Sequence, residues 1–326
     1  MIISQTPLRV SLLGGGSDLP SYYRRNGGAV LSAAIDQSVY VTVSRKFDDA
    51  VRVSYSRTEE VAHASDVEHP LVRESLALLG IEGGIEITSV ADIPARGTGL
   101  GSSSSFTVGL LNALHAYCGR HAPADKLAEE SCLVEIDRCG EPIGKQDQYA
   151  AAFGGFNFIR FHPNDTVEVT KVVCPQSLVS ELQSRLIFFY TGVTRSASSL
   201  LRQQSADVAN PGAKSDATSH LAKLAEEAFF EISKGKLGSL GPMLNEAWRT
   251  KKQIADGISN DLIDQAYEAA IRAGAEGGKL LGAGGGGFLM LVAPPERHNC
   301  IRMALQSMRE TPFRFVPHGS RIIFVH

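Results

Sequence analysis

The sequence predicts an α+β protein of two domains, residues 1–184 and 185–326, and three observations carry that reading. The first third alternates β-branched runs with turns, helix-like segments gather later, and the strand-like LIFFYTG opens a second unit near residue 185. At 326 residues the chain is long enough for two domains of ordinary size. Hydrophobic residues are 43% and charged residues 21%, the balance of a packed globular protein. A net charge of −3 leaves no electrostatic footprint for nucleic acid, so none is expected as a partner. No apolar run reaches membrane-spanning length. The opening MIISQTPLRV lacks the basic-then-apolar pattern of a secretory leader. The five cysteines are odd in number and form no CxxC pair, so they are expected to be reduced thiols of a cytoplasmic protein. Oligomeric state is not legible.

Taken in order, LRVSLL, SVYVTVSRKF and VRVSYS read as strands, and GIEITSVADIP continues with period-two alternation. Helices are expected from about Ser104 to Tyr117 and over Pro123–Cys139, where proline starts the segment and Gly140 ends it. GFNFIRF and VEVTKVV form a hairpin around HPND. Helices Ser196–Ala206, His220–Lys234 and Asp261–Ala273 follow, then a glycine run and strand FLMLV. PFRFVPHGSRIIFV reads as two closing strands. The polar stretch Ser205–Ser219, poor in large apolar groups, is expected to be a flexible loop.

The richest segment is ADIPARGTGLGSSSSFTVGLLNALHAY, in which a strand feeds a glycine turn that opens onto a helix. Free N–H groups and the dipole at a helix start favour an anion. Gly97, Gly99 and Gly101 let several N–H groups converge on phosphate oxygens, and the serines add hydroxyls. The plainer alternative is a serine-glycine loop capping a helix. No lysine follows these glycines, which excludes a Walker loop, and the spacing excludes a dinucleotide fingerprint. Gly282–Gly287 contains G-x-G-x-x-G but precedes a strand, so it fails the context test.

PARGTGLGSSSS resembles the central PPGxGLGSS motif of the GHMP kinases (galactokinase, homoserine kinase, mevalonate kinase, phosphomevalonate kinase), with Ala95 and Arg96 where the motif has prolines. TPLRVSLLGGGSDLPSYY resembles the N-terminal substrate motif of that family, and KLLGAGGGGFLML its C-terminal glycine motif. The resemblance implies a ribosomal-protein-S5-like N-terminal domain and a ferredoxin-like C-terminal domain with the active site between them. It implies ATP and Mg²⁺ as cofactors. Gly97, Thr98, Gly99, Leu100, Gly101, Ser102, Ser103 and Ser104 would hold the ATP phosphates. Gly282, Gly284, Gly285 and Gly286 would close against that loop, where side chains would collide.

On the helix expected over Pro123–Cys139, Lys126, Glu130 and Asp137 share one arc, and Glu135 falls nearly opposite, on the buried face. A buried carboxylate needs a partner, and from the residues alone an internal salt bridge with Arg138 and a metal site are equally open. The resemblance favours the metal, because family members carry a Mg²⁺-binding glutamate about 12 residues before the catalytic aspartate, the separation of Glu135 from Asp147. Ser103 would be the second metal ligand. GEPIGKQDQYAAAFGG resembles the galactokinase-type G-x-P-x-G-x-x-D-Q segment, which makes Asp147 the residue that takes or orients the acceptor hydroxyl proton. Otherwise Asp147 is a helix-start aspartate complementing the dipole. Lys145 is a weaker catalytic candidate. By the same resemblance Arg9 stabilises Asp147 and phosphoryl charge, and Asp18, with Gly15, Gly16 and Ser17, bonds sugar hydroxyls.

TPLRxxLxGGGxD with GGAVLSAAID and YVTV resembles the heptose 7-phosphate kinase branch, and more loosely the fucokinase domain. That implies phosphorylation of O1 of a sugar 7-phosphate in GDP-heptose synthesis. A sugar phosphate needs a second anion site, for which Arg24, Arg25 and Arg195 are candidates. Kinases of fucose or galactose, or of a non-sugar alcohol such as mevalonate or homoserine, remain alternatives. So does a sugar-sensing regulator without turnover, although Ser103, Glu135 and Asp147 together argue against it.

Overall fold

The structure is a computed structural model that describes residues 1–94, 97–193 and 197–326. The first half runs β1 (Ile2–Leu13), α1 (Pro20–Asn26), β2 (Gly28–Arg45), β3 (Val51–Ser54), β4 (Thr58–Val61), α2 (Pro70–Leu79), β5 (Ile85–Ala91), α3 (Ser102–Tyr117), α4 (Ala124–Cys132), α5 (Gln146–Phe153), β6 (Phe156–Phe161) and β7 (Val167–Lys171). The second runs α6 (Gln176–Arg185), β8 (Leu186–Tyr190), α7 (Ala197–Val208), α8 (Ala213–Ser233), α9 (Leu240–Lys251), α10 (Asp261–Arg272), β9 (Gly277–Leu280), β10 (Phe288–Val292), α11 (His298–Ala304), β11 (Arg309–Glu310) and β12 (Arg321–Val325).

Among the described residues these strands form two sheets. The larger has the order β12-β1-β2-β5-β3-β4, with β6 also on β2 and β7 on β6. Strand β2 is long enough to serve two neighbours along one edge: Gly28–Ala33 pairs with β6 and Val39–Arg45 with β5. Its far half buries Val39, Val41 and Val43, the period-two signature of a half-buried strand. The smaller sheet has the order β11-β8-β10-β9, all antiparallel. β10, FLMLV, lies between two neighbours and is buried at every position, which explains its unbroken apolar run. Helix α3 packs on β1 and β2 and is buried on most sides, so it shows little polar face. At α10 the Asn260 side chain accepts the Ile263 N–H at 3.1 Å and caps the helix.

The hairpin around HPND is β6–β7, as the sequence predicts. Three expectations are corrected. Ser205–Ser219 is largely helical, forming the end of α7 and the start of α8, with a break only between Val208 and Ala213. In the α8 part the buried positions, Ser215 and Thr218, are small and polar, so the buried stripe carries no hydrophobic signal there. PFRFV is not a strand; Phe315 makes one isolated bridge to Ile35. The helix expected over Pro123–Cys139 starts at Ala124 and widens into a π turn over Leu133–Arg138, where Cys139 N–H reaches the Val134 carbonyl at 3.0 Å. Helices α1, α2, α6, α9 and α11 are not among those the sequence predicts. The last strand, β12, leaves the second half and pairs with β1 of the large sheet. All five cysteines are free. No described helix is long and apolar enough to cross a membrane.

Candidate active site

The two halves face each other across a cleft of about 1430 Å³, more than the ~300–1,000 Å³ that holds a single drug-sized ligand. Its walls come from the N-terminal motif, the glycine loop and α3, the start of α5, α7, the end of α9, β9 and the second glycine loop.

The two glycine loops touch backbone to backbone. Gly99 has φ +76°, and a Cβ there would lie 2.3 Å from the Leu281 carbonyl oxygen. Gly282, also at φ +76°, would place a Cβ 2.4 Å from the Gly99 Cα. Neither position accepts any other residue without moving the chain. Gly97, Thr98, Gly99, Gly101, Ser102, Ser103 and Ser104 line the cleft, whereas Leu100 is buried and its carbonyl accepts the Arg9 N–H at 3.1 Å. Gly284, Gly285 and Gly286 lie behind Gly282, packed on Ile258 and Val193. Ala95 and Arg96 lie outside the described residues.

The first turn of α5 organises the polar centre. Consecutive side chains on a helix fan out by about 100°, so Gln146, Asp147 and Gln148 reach three different partners. Asp147 Oδ1 accepts from Arg9 Nε at 2.8 Å and Nη2 at 2.6 Å, and Arg9 Nη1 donates to the Gly99 carbonyl at 2.7 Å. One guanidinium thus ties the carboxylate to the glycine loop. Gln146 donates to Asp18 Oδ1 through its side chain (3.1 Å) and to Oδ2 through its backbone N–H (3.2 Å), and Gly16 N–H adds 2.9 Å to Oδ1. Burial, and then the charge of Asp147, pushes the Asp18 carboxyl above the usual carboxylate range, with those backbone donors opposing.

Gln148 donates to Glu135 Oε2, while Thr107 (3.1 Å) and Ser103 (3.3 Å) give their hydroxyls to Oε1. Glu135 is buried, as its helical arc predicts, while Lys126 and Asp137 are exposed. Arg138 does not pair with it; its guanidinium faces Glu74, with Nη1 3.9 Å from the carboxylate. With no cation beside it among the described residues, burial pushes the Glu135 carboxyl up to about 7. A buried carboxylate flanked by two hydroxyls and lacking a counter-charge suits Mg²⁺, a hard cation that takes oxygen ligands.

Four candidates fall elsewhere. Lys145 turns its ammonium to Asp165 (3.4 Å) and over the Tyr23 ring, outside the cleft walls. Arg24 also pairs with Asp165 (3.1 Å) and is more than half exposed. Ser17 Oγ is spent on the carbonyls of Gly14 (2.8 Å) and Ala29 (3.0 Å), holding the turn rather than facing the cleft. Arg25 is exposed and reaches the Val208 carbonyl at 3.4 Å. Arg195 lies outside the described residues. Gly15, Gly16 and Asp18 do line the cleft.

Residues missed in the sequence are Thr107, Gln146, Gln204, Lys251 and Lys279. Gln146 could have been suspected from its place beside Asp147 and Lys279 from its place at the head of KLLGAGGGG; Gln204 and Lys251 carry no local signal. At another part of the cleft Tyr55, His69 and Phe106 form an aromatic wall, with ring centroids 4.8 and 5.4 Å apart.

Comparison with known proteins fits this geometry. The GHMP kinases N terminal domain matches residues 63–155, and the GHMP kinases C terminal domain matches residues 225–307. The chain is 31% identical to the D-glycero-alpha-D-manno-heptose 7-phosphate kinase of Campylobacter jejuni, over 92% of each chain. It is 25% identical to the bifunctional fucokinase/GDP-fucose pyrophosphorylase of Arabidopsis thaliana, over 94% of this chain and 31% of that one. The crystal structure of a D-glycero-D-manno-heptose 1-phosphate kinase from Bacteroides thetaiotaomicron superposes with a TM-score of 0.82 at 27% identity, covering 100% of both chains. The fold and the matching domains are those of an ATP-dependent phosphotransferase. The chain belongs to the GHMP kinase family.

Proposed function

We propose that this protein, an ATP-dependent sugar kinase, phosphorylates O1 of D-glycero-D-manno-heptose 7-phosphate. The observation that carries the reading is the adjacency of two carboxylates of different character: Asp147 held by Arg9 at the glycine loop, and Asp18 buried beside it on the N-terminal motif. The relative at 31% identity, a heptose 7-phosphate kinase, supports the same acceptor.

In this reading the nucleotide base lies on the aromatic wall of Tyr55, His69 and Phe106. The phosphates lie on the N–H groups from Gly97 to Ser104, where the start of α3 favours negative charge. Ser103 and Glu135 would hold Mg²⁺, which when bound neutralises nucleotide phosphate charge. Asp18 accepts hydroxyl hydrogens of the acceptor, with Gly15 and Gly16 leaving room for the ring. Asp147 Oδ2, the oxygen not engaged by Arg9, takes the proton of the attacking hydroxyl. Arg9 then offsets charge as the phosphoryl group passes between the loop and the acceptor. The nucleotide and acceptor meet between the domains we assign to residues 1–184 and 185–326.

The test is ADP release on a panel of heptose 7-phosphate, free heptose, fucose, galactose, mevalonate and homoserine, with phosphorus NMR of the product. The reading expects the 1,7-bisphosphate and a marked preference for the phosphorylated heptose. Faster turnover of fucose or another free sugar would replace heptose 7-phosphate as the acceptor.

A further inference from the structure

Two buried lysines in the cleft have no role in the chemistry described above. Lys251, the last residue of α9, is 6% exposed, and Lys279, in β9, is 5% exposed. Among the described residues neither forms an ion pair with a carboxylate. Lys279 Nζ donates to the carbonyls of Ser11 (3.0 Å) and Leu12 (3.3 Å), and Lys251 Nζ donates to the Gly282 carbonyl. An ammonium carries three N–H donors, so Lys279 keeps one in hand and Lys251 two.

Burial pushes both lysine pKa values down, that of Lys251 to about 8, and Arg9 adds to the effect at both. Three basic side chains (Arg9, Lys251, Lys279) face two carboxylates (Asp18, Asp147) at this end of the cleft. Buried charge without a counter-ion costs several kcal/mol per ion, so a site of this kind favours an anionic ligand.

A second observation points to the same place. Ser11 Oγ, Gln146 Oε1 and Gln204 Nε2 are buried with no hydrogen-bond partner among the described residues, and all three residues line the cleft. They surround Gly15 and Gly16: a Cβ on Gly16 would lie 2.5 Å from Gln204 Nε2, and one on Gly15 3.4 Å from Ser11 Oγ. Unsatisfied buried polar groups are rare in native proteins and call for a partner. Here they adjoin the residues that the preceding section assigns to the acceptor.

We propose that Lys251, Lys279 and Gln204 form the subsite for a phosphate monoester carried by the acceptor itself, away from its reacting hydroxyl, and so set the preference for a phosphorylated sugar. This deepens the functional reading above and rests on it. It also replaces Arg24, whose guanidinium is committed to Asp165 on the outer surface.

The experiment measures kcat/KM for heptose 7-phosphate and for the dephosphorylated heptose in the wild-type protein, Lys251→Met, Lys279→Met, Gln204→Ala and the charge-keeping Lys251→Arg. A charge-assisted contact is worth about 10- to 150-fold. Each lysine-to-methionine variant is expected to lower the ratio of the two kcat/KM values by a factor in that range, chiefly through KM for the phosphorylated sugar. Lys251→Arg should keep most of the ratio. Isothermal titration with heptose 7-phosphate in the absence of nucleotide gives a second reading, and its binding should weaken in parallel. Should Lys279→Met fail to fold, Lys251→Met and Gln204→Ala decide. If the variants slow both acceptors equally and leave the ratio intact, the cations serve the transferred phosphoryl group: the subsite is refuted and the kinase assignment stands. If the wild-type protein itself does not prefer the phosphorylated sugar, the heptose-phosphate reading falls as well.

Discussion

Replacing Lys251 with methionine should make the ligand-free protein more stable. Methionine fills a similar volume and removes the charge. Burial lowers the Lys251 pKa from 10.5 to about 8, and at 1.36 kcal/mol per pH unit that gap corresponds to roughly 3 kcal/mol. The sign follows from linkage. Between the two pKa values the unfolded chain binds the proton more tightly than the folded one, so native stability rises with pH from about 8 to 10.5, and below that window the deficit is present in full. Against it stands the hydrogen bond to the Gly282 carbonyl, worth about 1 kcal/mol. Losing the ammonium also relieves Lys279, whose own pKa it depresses, an effect of the same sign. The net expectation at pH 7 is a gain of roughly 2 kcal/mol, read from thermal or urea midpoints without nucleotide. By pH 9.5 the gain should have shrunk by about 2 kcal/mol, because wild-type Lys251 is then mostly neutral in the folded protein. Saturating heptose 7-phosphate should reverse the order, since only a state that binds ligand is stabilised by it. A Lys251→Met protein less stable than wild type at pH 7, or a gain that does not depend on pH, would refute the uncompensated buried charge.

Asp147→Asn should lower turnover by about 10²–10⁴-fold while nucleotide binding, followed by titration, stays near normal; undiminished turnover would remove Asp147 from the chemistry. Glu135→Gln should raise the Mg²⁺ concentration needed for half-maximal rate, and an unchanged requirement would leave Glu135 a structural anchor for Ser103, Thr107 and Gln148. Gly99→Ala, at φ +76° and against the Leu281 carbonyl, should cost more than about 1 kcal/mol of stability and lower activity together. Arg24→Ala should leave kcat/KM for the phosphorylated acceptor within about twofold, because its partner is Asp165.

What could be read from the sequence was what local pattern encodes. Runs of β-branched residues located β1 and β2, period-two alternation located β5, two apolar runs around HPND located the β6–β7 hairpin, and the glycine turn opening onto α3 was legible because glycine spacing and a helix start are contiguous features. The helical arc put Glu135 on the buried face before any partner was known. The N-terminal motif and the GEPIGKQDQ segment carried Arg9, Asp18 and Asp147 to one place by resemblance, since each lies inside a short recognisable segment. Other properties needed the folded chain. Arg24 follows the substrate motif directly, yet α1 turns it outward to Asp165, and Lys145 goes the same way. Ser205–Ser219 reads as a loop because the buried side of that part of α8 is made of serine and threonine. Lys251 and Lys279 look like ordinary charges in sequence. They become buried cations facing Asp18 only because β9 pairs with β10, bringing Lys279 under Ser11, and because α9 ends at the Gly282 loop. Composition and periodicity determine which elements form and which face each buries. Which charges share a low-dielectric cleft is decided by strand register and helix docking between segments more than a hundred residues apart, and no local pattern records that.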